Sequence, residues 1–347
     1  MMNRTSKTWL AAYLYYAEPW EEFLIKVMKP FVDDVMKEAL AEQFFFIRFW
    51  EQGPHIRLRF KGETNILENQ LKPQLENYFL NYFKEYPSVR QDPKEMDKWQ
   101  ARQSNQQLFP NNSIQYIEYD PEVERYGGPL AILTAEKQFE ISSRAVMAVI
   151  EDSEFWDYDR ALGAAIQLHL GFAFALGIDL IEAGEFFSRI ARHWFASAYG
   201  GYKGYTATIP PEELKKRQEI TMKAFEENFS NQKTALVSFH ETLWSALTEG
   251  MEFEQEWLNV WIQQMKSITG ELKAIQQQNK LTIPQWFQPE LDKKTPVERQ
   301  YWWPILESYI HMTNNRLGIL NRDEAYLGFL IKESLNVLEL GNHRDNF

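Results

Sequence analysis

The 347-residue sequence contains no cysteine. Disulfides, thiolate metal sites and cysteine nucleophiles are thereby excluded, and the fold must rest on packing alone, a usage that suits a reducing compartment. Basic charge is in deficit: 37 Lys and Arg face 49 Asp and Glu, a net of -12 at pH 7. No chain-wide basic field exists to draw in nucleic acid or an anionic membrane, so any anion has to be held locally. Long apolar runs are missing too. Residues 1–8 lack the apolar core of a secretory signal, and the most apolar stretch, residues 161–178, is interrupted by Gln167 and His169. The expectation is a cytoplasmic chain without a membrane span. Signature motifs are equally scarce: there is no Gly-x-x-x-x-Gly-Lys phosphate loop, dinucleotide-binding glycine fingerprint, His-Glu-x-x-His metal helix or Gly-x-Ser-x-Gly elbow. No cofactor and no metal is called for.

What is present suffices for a sizeable core, with 44% hydrophobic and 15% aromatic residues. Residues 9–16 read as an aromatic-rich strand that stops at Glu18-Pro19. Trp20, Phe23, Leu24, Val27, Met28, Phe31, Val32, Val35 and Met36 then recur at helical spacing, with Pro30 expected to kink or split the helix. Residues 44–50 and 55–60 read as strands joined by the turn Gln52-Gly53-Pro54, residues 65–83 as a helix, and residues 114–119 as a fourth strand. The order β-α-β-β-α-β predicts a ferredoxin-like unit with two helices on one face of an antiparallel sheet. Beyond Leu130 only helices are expected, over residues 131–150, 159–176, 180–198, 211–228, 232–248, 254–278, 297–320 and 324–340. The fold class is therefore α+β, with an α+β part over residues 1–129, a helical part over 130–347 and a boundary near Pro129. Two polar excursions, residues 86–112 and 276–295, exceed ordinary connections and are the expected places for a partner to dock.

Chemistry concentrates in three segments. In His55-Ile56-Arg57-Leu58-Arg59-Phe60 strand alternation puts His55, Arg57 and Arg59 on one face and the apolar residues on the other. Two guanidiniums on a rigid strand suit a carboxylate or a phosphate, although solvated arginines on a wet face fit the same pattern. In Glu122-Val123-Glu124-Arg125-Tyr126-Gly127-Gly128, the glycines permit a tight turn that would hold Arg125 near the sheet edge, with Glu122 able to orient an arginine; incidental turn charges are the alternative. In the helix His311-Met312-Thr313-Asn314-Asn315-Arg316-Leu317, His311 can pass a proton in either direction or simply be structural, while Arg316 would point elsewhere on a straight helix. His169, His193, His240 and His343 gain no support from their surroundings.

These segments, together with Trp9-Leu10 and Phe45-Phe46-Ile47-Arg48-Phe49-Trp50, run along nearly the whole chain in the order of a known family. The sequence resembles the thiopeptide-type and lantibiotic dehydratase C-terminal domains. In the large dehydratases of that family glutamate is attached from glutamyl-tRNA to Ser or Thr of a ribosomally made precursor peptide, then eliminated to leave dehydroalanine or dehydrobutyrine. The resemblance is to the eliminating half. It implies catalytic roles for Arg57, Arg59, Glu122, Arg125 and His311, and substrate contacts from His55, Tyr126, Asn315 and Arg316. It also implies a precursor peptide and a separate tRNA-dependent glutamylation subunit as partners, without direct nucleic-acid or membrane binding; homodimerisation is left open.

Two other readings stand beside elimination. The same family includes enzymes that form the pyridine ring of thiopeptides by formal [4+2] cycloaddition. A non-catalytic, peptide-binding subunit of a modification complex would also use the aromatic content and the polar excursions.

Overall fold

A computed structural model describes residues 7–90, 108–199 and 210–342. Its contacts divide the chain into two compact units, Met1–Glu122 with Glu136–Trp156, and Val123–Ala135 with Asp157–Phe347.

The first unit is built on β1 (Lys7–Tyr15), β2 (Gln43–Phe49), β3 (His55–Glu63) and β4 (Ser113–Tyr116), ordered β2-β3-β1-β4 with every neighbour antiparallel. Alternation sends Leu10, Ala12, Leu14, Ile56, Leu58 and Phe60 to one face, where all are buried. Two helical runs cover it. The first, α1, joins Glu21–Phe23, a π turn Leu24–Met28 and Lys29–Lys37; the second, α2, joins Thr64–Ile66, a π turn Leu67–Leu71 and Lys72–Glu85. Each π turn ends two residues before a proline, Pro30 or Pro73. The expected break at Pro30 is thus taken up as one widened turn, because a proline without an N–H removes a bond of the α ladder that a locally wider helix does not need. Phe31 closes on Phe60 and Phe79 at ring distances of 6.2 and 5.1 Å.

The helix α3 (Ala131–Asp152) contributes its residues from Glu136 onward to this same unit. Its side chains explain why the division is not a single cut near Pro129. Glu136 accepts from Trp9 Nε1 at 3.2 Å and from Lys61 Nζ at 2.7 Å, and the Phe139 ring lies 5.2 Å from that of Phe45. Ser143 Oγ accepts the Phe46 amide at 3.2 Å, which satisfies a backbone donor on the edge strand β2.

The second unit is helical: α4 (Tyr158–Ala175), α5 (Leu180–Tyr199), α6 (Pro211–Glu249), α7 (Glu256–Gln277), the short α8 (Val297–Gln300), α9 (Trp303–Leu317) and α10 (Asn321–Asn342). Asp157 caps α4 by accepting the Arg160 amide at 2.8 Å. The two helices expected over 211–228 and 232–248 are one, since nothing between Asn228 and Gln232 breaks a helix and the turn carries Phe229 into the core. The helix expected over 297–320 is interrupted before Trp303, with Pro304 in the first turn of α9. Of the excursion over residues 86–112, residues 91–107 lie outside the described residues. The other excursion is stitched down: the buried Gln300 accepts from the Glu290 amide at 2.7 Å and donates to Thr295 O at 2.8 Å. Among the described residues no helix is long and apolar enough to cross a membrane.

Candidate functional site

In the first unit the sheet face opposite α1 and α2 carries Tyr13 and Tyr15 from β1, Phe45 and Phe49 from β2, and His55, Arg57 and Arg59 from β3, as the ladder registers require. His55 is 1% exposed and stacks on Tyr15 and Tyr13 at 4.4 and 5.2 Å. Its Nδ1 faces Gly53 O at 2.8 Å, so that nitrogen carries the proton, and Nε2 accepts from Arg57 Nε at 3.2 Å. Burial pushes the imidazole pKa down to about 3, with the charges of Arg57, Arg90 and Arg59 acting the same way, so His55 is neutral. A neutral His55 takes up one edge of Arg57 and leaves its charge intact.

Arg57 lies 3.5 Å over the Phe49 ring and 4.6 Å over Tyr13, with Glu51 only at 4.0 Å. Arg59, 8% exposed, lies 4.4 Å over Tyr119 and 5.2 Å over Phe45, and its Nε has no hydrogen-bond acceptor among the described residues. The contrast with Arg48 is instructive: that arginine is also buried, but Glu21 stands 2.6 Å away. Guanidiniums withdrawn from water and held by rings rather than carboxylates are costly unless an anion completes them. The alternative of solvated arginines on a wet face does not describe Arg59, which is buried, while Arg57 is half-buried.

Sequence reasoning missed Arg90. Its Nε and Nη2 are buried without an acceptor among the described residues, and its guanidinium lies against Gly53, where an added Cβ would meet Nη2 at 2.7 Å. Nothing in a polar stretch of unassigned structure singles it out before folding.

In the second unit α9 gathers the remaining set. The turn at Gly127 and Gly128 has φ of +92° and +98°, and a Cβ on Gly127 would meet Ile305 Cδ1 at 2.6 Å, so only glycine lets the turn approach α9. Arg125 then donates from Nε to Ser308 Oγ at 3.0 Å. Tyr126 is buried and stacks on Tyr309 at 6.0 Å. His311, three residues beyond Ser308 on the same helix, donates from Nδ1 to Glu324 Oε1 at 2.8 Å and stacks on Trp194 at 4.5 Å. The Glu324 side chain is fully buried and also accepts from Asn314 Nδ2 at 3.1 Å; Asn314 Oδ1 in turn meets His169 Nε2 at 2.8 Å. This network orients His311 and leaves its Nε2 as the nitrogen that can take a proton. Glu307, one turn before His311, has His193 Nδ1 at 3.3 Å and Arg189 Nε at 3.5 Å without hydrogen-bond geometry. Burial pushes its carboxyl pKa up to about 7 against the pull of Arg189.

The expected residues therefore fall into two groups: His55, Arg57 and Arg59 on the sheet of the first unit, and Arg125, Tyr126 and His311 around α9 of the second. Glu122 is exposed at the end of the first unit. Asn315 is half-buried, and Arg316 is fully buried with Nη1 donating to Met312 O at 2.8 Å. Glu324, Asn314, His169 and Glu307 joined the site only through packing. Among the described residues no three His, Asp or Glu side chains are grouped to hold a metal ion.

The first unit thus carries arginines set against aromatic rings, and the second a histidine held by a buried carboxylate. The model of the family described as lantibiotic biosynthesis dehydratase C-term matches residues 9–335, and the chain belongs to that family. The subtilin biosynthesis protein SpaB of Bacillus subtilis is 31% identical over 142 residues, 41% of this chain and 12% of that protein. The chain thus spans a small part of this curated relative. Two solved structures share the fold: the pyridine synthase TbtD from thiomuracin biosynthesis, with TM-score 0.71, 17% identity and coverage of 94% of this chain and 97% of that one, and the tRNA-dependent lantibiotic dehydratase MibB from Microbispora sp. 107891, with TM-score 0.57, 18% identity and coverage of 98% and 29%.

Proposed function

We propose that this protein removes glutamate from glutamylated Ser and Thr of a ribosomally made precursor peptide, leaving dehydroalanine and dehydrobutyrine. The observation that carries the reading is the pair of guanidiniums on the sheet face, half-buried Arg57 and buried Arg59, both held by rings. A glutamyl ester presents the anionic chemistry such a set needs. In the reaction a base takes the proton from Cα, that electron pair forms the Cα=Cβ bond, and the Cβ–O bond breaks as glutamate leaves with its electrons. His311, oriented by Glu324, is the group suited to take the proton. Arg57, Arg59 and Arg125 are assigned to the glutamyl group and the negative charge that develops, with Glu122 assigned to orient an arginine. His55 acts by holding Arg57.

This reading takes a precursor peptide and a separate glutamylation subunit that uses glutamyl-tRNA as partners, and a cytoplasmic setting. It treats the sheet with α1 and α2 as a ferredoxin-like unit, a reading supported by the strand order β2-β3-β1-β4.

The second reading, pyridine formation by formal [4+2] cycloaddition, is favoured by one observation: the likeness to TbtD extends over 97% of that chain. One experiment separates the two. Purified protein is incubated with a glutamylated precursor peptide and no glutamylation enzyme, and the products are weighed by mass spectrometry. Loss of glutamate with dehydroamino acids formed is the expected result. An unchanged peptide, with leader release from a dehydrated, azole-bearing peptide, would replace elimination by cycloaddition.

A further inference from the structure

Four buried donors of the first unit, on the sheet face and beside the turn at Gly53, lack an acceptor among the described residues: Arg59 Nε, Arg90 Nε, Arg90 Nη2 and the Tyr15 hydroxyl. Buried polar groups are ordinarily paired, so a cluster of donors without acceptors marks a place completed by something that only accepts. His55 is the common neighbour. Tyr15 stacks on it, and the charges of Arg57, Arg90 and Arg59 all bear on it.

Arg90 is placed there by the chain. Ser88, two residues earlier, takes the Ala17 amide on its Oγ at 2.8 Å, and its own amide donates to Asn112 Oδ1 at 2.9 Å. Asn111 and Asn112 both donate to Ser88 O, at 2.9 and 3.0 Å. This knot fixes the backbone between the end of β1 and the start of β4. Gly53, at φ +113° in the turn between β2 and β3, leaves the space that the guanidinium fills. A side chain there would be strained by its own backbone and would displace Arg90.

A glutamyl ester contains two carboxyl-derived groups, one joined to Ser or Thr and one free. The elimination reading assigns Arg57, Arg59 and Arg125 to the glutamyl group and the developing charge, and Arg90 is the guanidinium beside the sheet of the first unit that it leaves without a role. We propose that Arg90, lying over Gly53, binds the free carboxylate of the glutamyl group and selects an acyl group that bears one over a neutral counterpart. This rests on the elimination reading.

The test compares the wild-type protein with Arg90→Ala, Arg90→Lys and Gly53→Ala, each shown by circular dichroism to be folded. The substrates are one precursor peptide esterified with glutamate and the same peptide esterified with glutamine. Loss of a charge-assisted contact should raise KM for the glutamyl peptide about 10- to 100-fold in Arg90→Ala, with kcat little changed. The preference for glutamyl over glutaminyl peptide should fall by a similar factor, Arg90→Lys should recover part of it, and Gly53→Ala should resemble Arg90→Ala. Unchanged KM and preference in Arg90→Ala overturn the assignment. If the wild-type protein eliminates neither ester, the elimination reading fails by itself, and glutarate binding by calorimetry decides the carboxylate site. Binding lost in Arg90→Ala sustains it, and binding absent from wild type or equal in the variant overturns it.

Discussion

Arg125 donates its Nε–H to Ser308 Oγ at 3.0 Å, on the same helix and three residues before His311. One hydrogen bond thus attaches the arginine of an early turn to the helix that carries the proton-transfer candidate. On the elimination reading Arg125→Ala lowers kcat/KM by about 100-fold, the scale of losing one donor to developing negative charge. Ser308→Ala keeps the charge and loses only its positioning, so a smaller loss of roughly fivefold is expected, in line with one neutral hydrogen bond. Both are read from rates of dehydroamino acid formation; equal losses would deny Ser308 a merely positioning role.

Glu324 orients His311 from a fully buried position. Glu324→Gln keeps the shape but can present its amide nitrogen where Nδ1–H needs an acceptor, which reverses the tautomer that leaves Nε2 free. Elimination should fall to within a few-fold of the rate of His311→Phe, while binding of the peptide, measured by calorimetry, stays near wild type.

Glu307 supplies a pH dependence of stability. Its folded pKa is raised to about 7 from an ordinary 4.5, because burial disfavours the carboxylate. A raised carboxyl pKa means the folded state binds the proton more tightly than the unfolded chain does. The resulting loss is absent below the unfolded value, develops between about 4.5 and 7, and is complete above 7, on the order of 3 kcal/mol. Glu307→Gln should remove this slope, so the denaturation midpoint of the variant should gain on wild type as pH rises through the window. Parallel curves for the two proteins would contradict it.

Gly127→Ala puts a side chain on a backbone with φ of +92° and a Cβ 2.6 Å from Ile305 Cδ1. A cost of about 1–3 kcal/mol in chemical denaturation is expected. Elimination should fall further than stability accounts for, since the turn that holds Arg125 cannot keep its approach to α9.

Periodicity made most of the fold legible. The four strands, the two helices on the sheet and most of the helices beyond Leu130 follow from alternation and helical spacing, because burying one face forces those patterns on the sequence. The widened turns before Pro30 and Pro73 were not legible, since a proline in a helical pattern admits several local solutions. The single helix Pro211–Glu249 was not either, since a polar stretch reads alike as a surface turn and as an exposed helix face.

For the site, the sequence by itself determined that His55, Arg57 and Arg59 share a strand face, that Gly127 and Gly128 make a turn beside Arg125, and that His311 lies on a helix. Local geometry fixes those relations. Tertiary structure alone decided that Arg57 and Arg59 are set on rings, that Arg90 reaches Gly53, and that Arg125 meets Ser308. It also decided that Glu324, and through Asn314 also His169, which had no support from its neighbours in sequence, stand behind His311. The physical reason is that strand and helix periods constrain residues a few positions apart, whereas burial and pairing between distant segments are settled only when the chain packs.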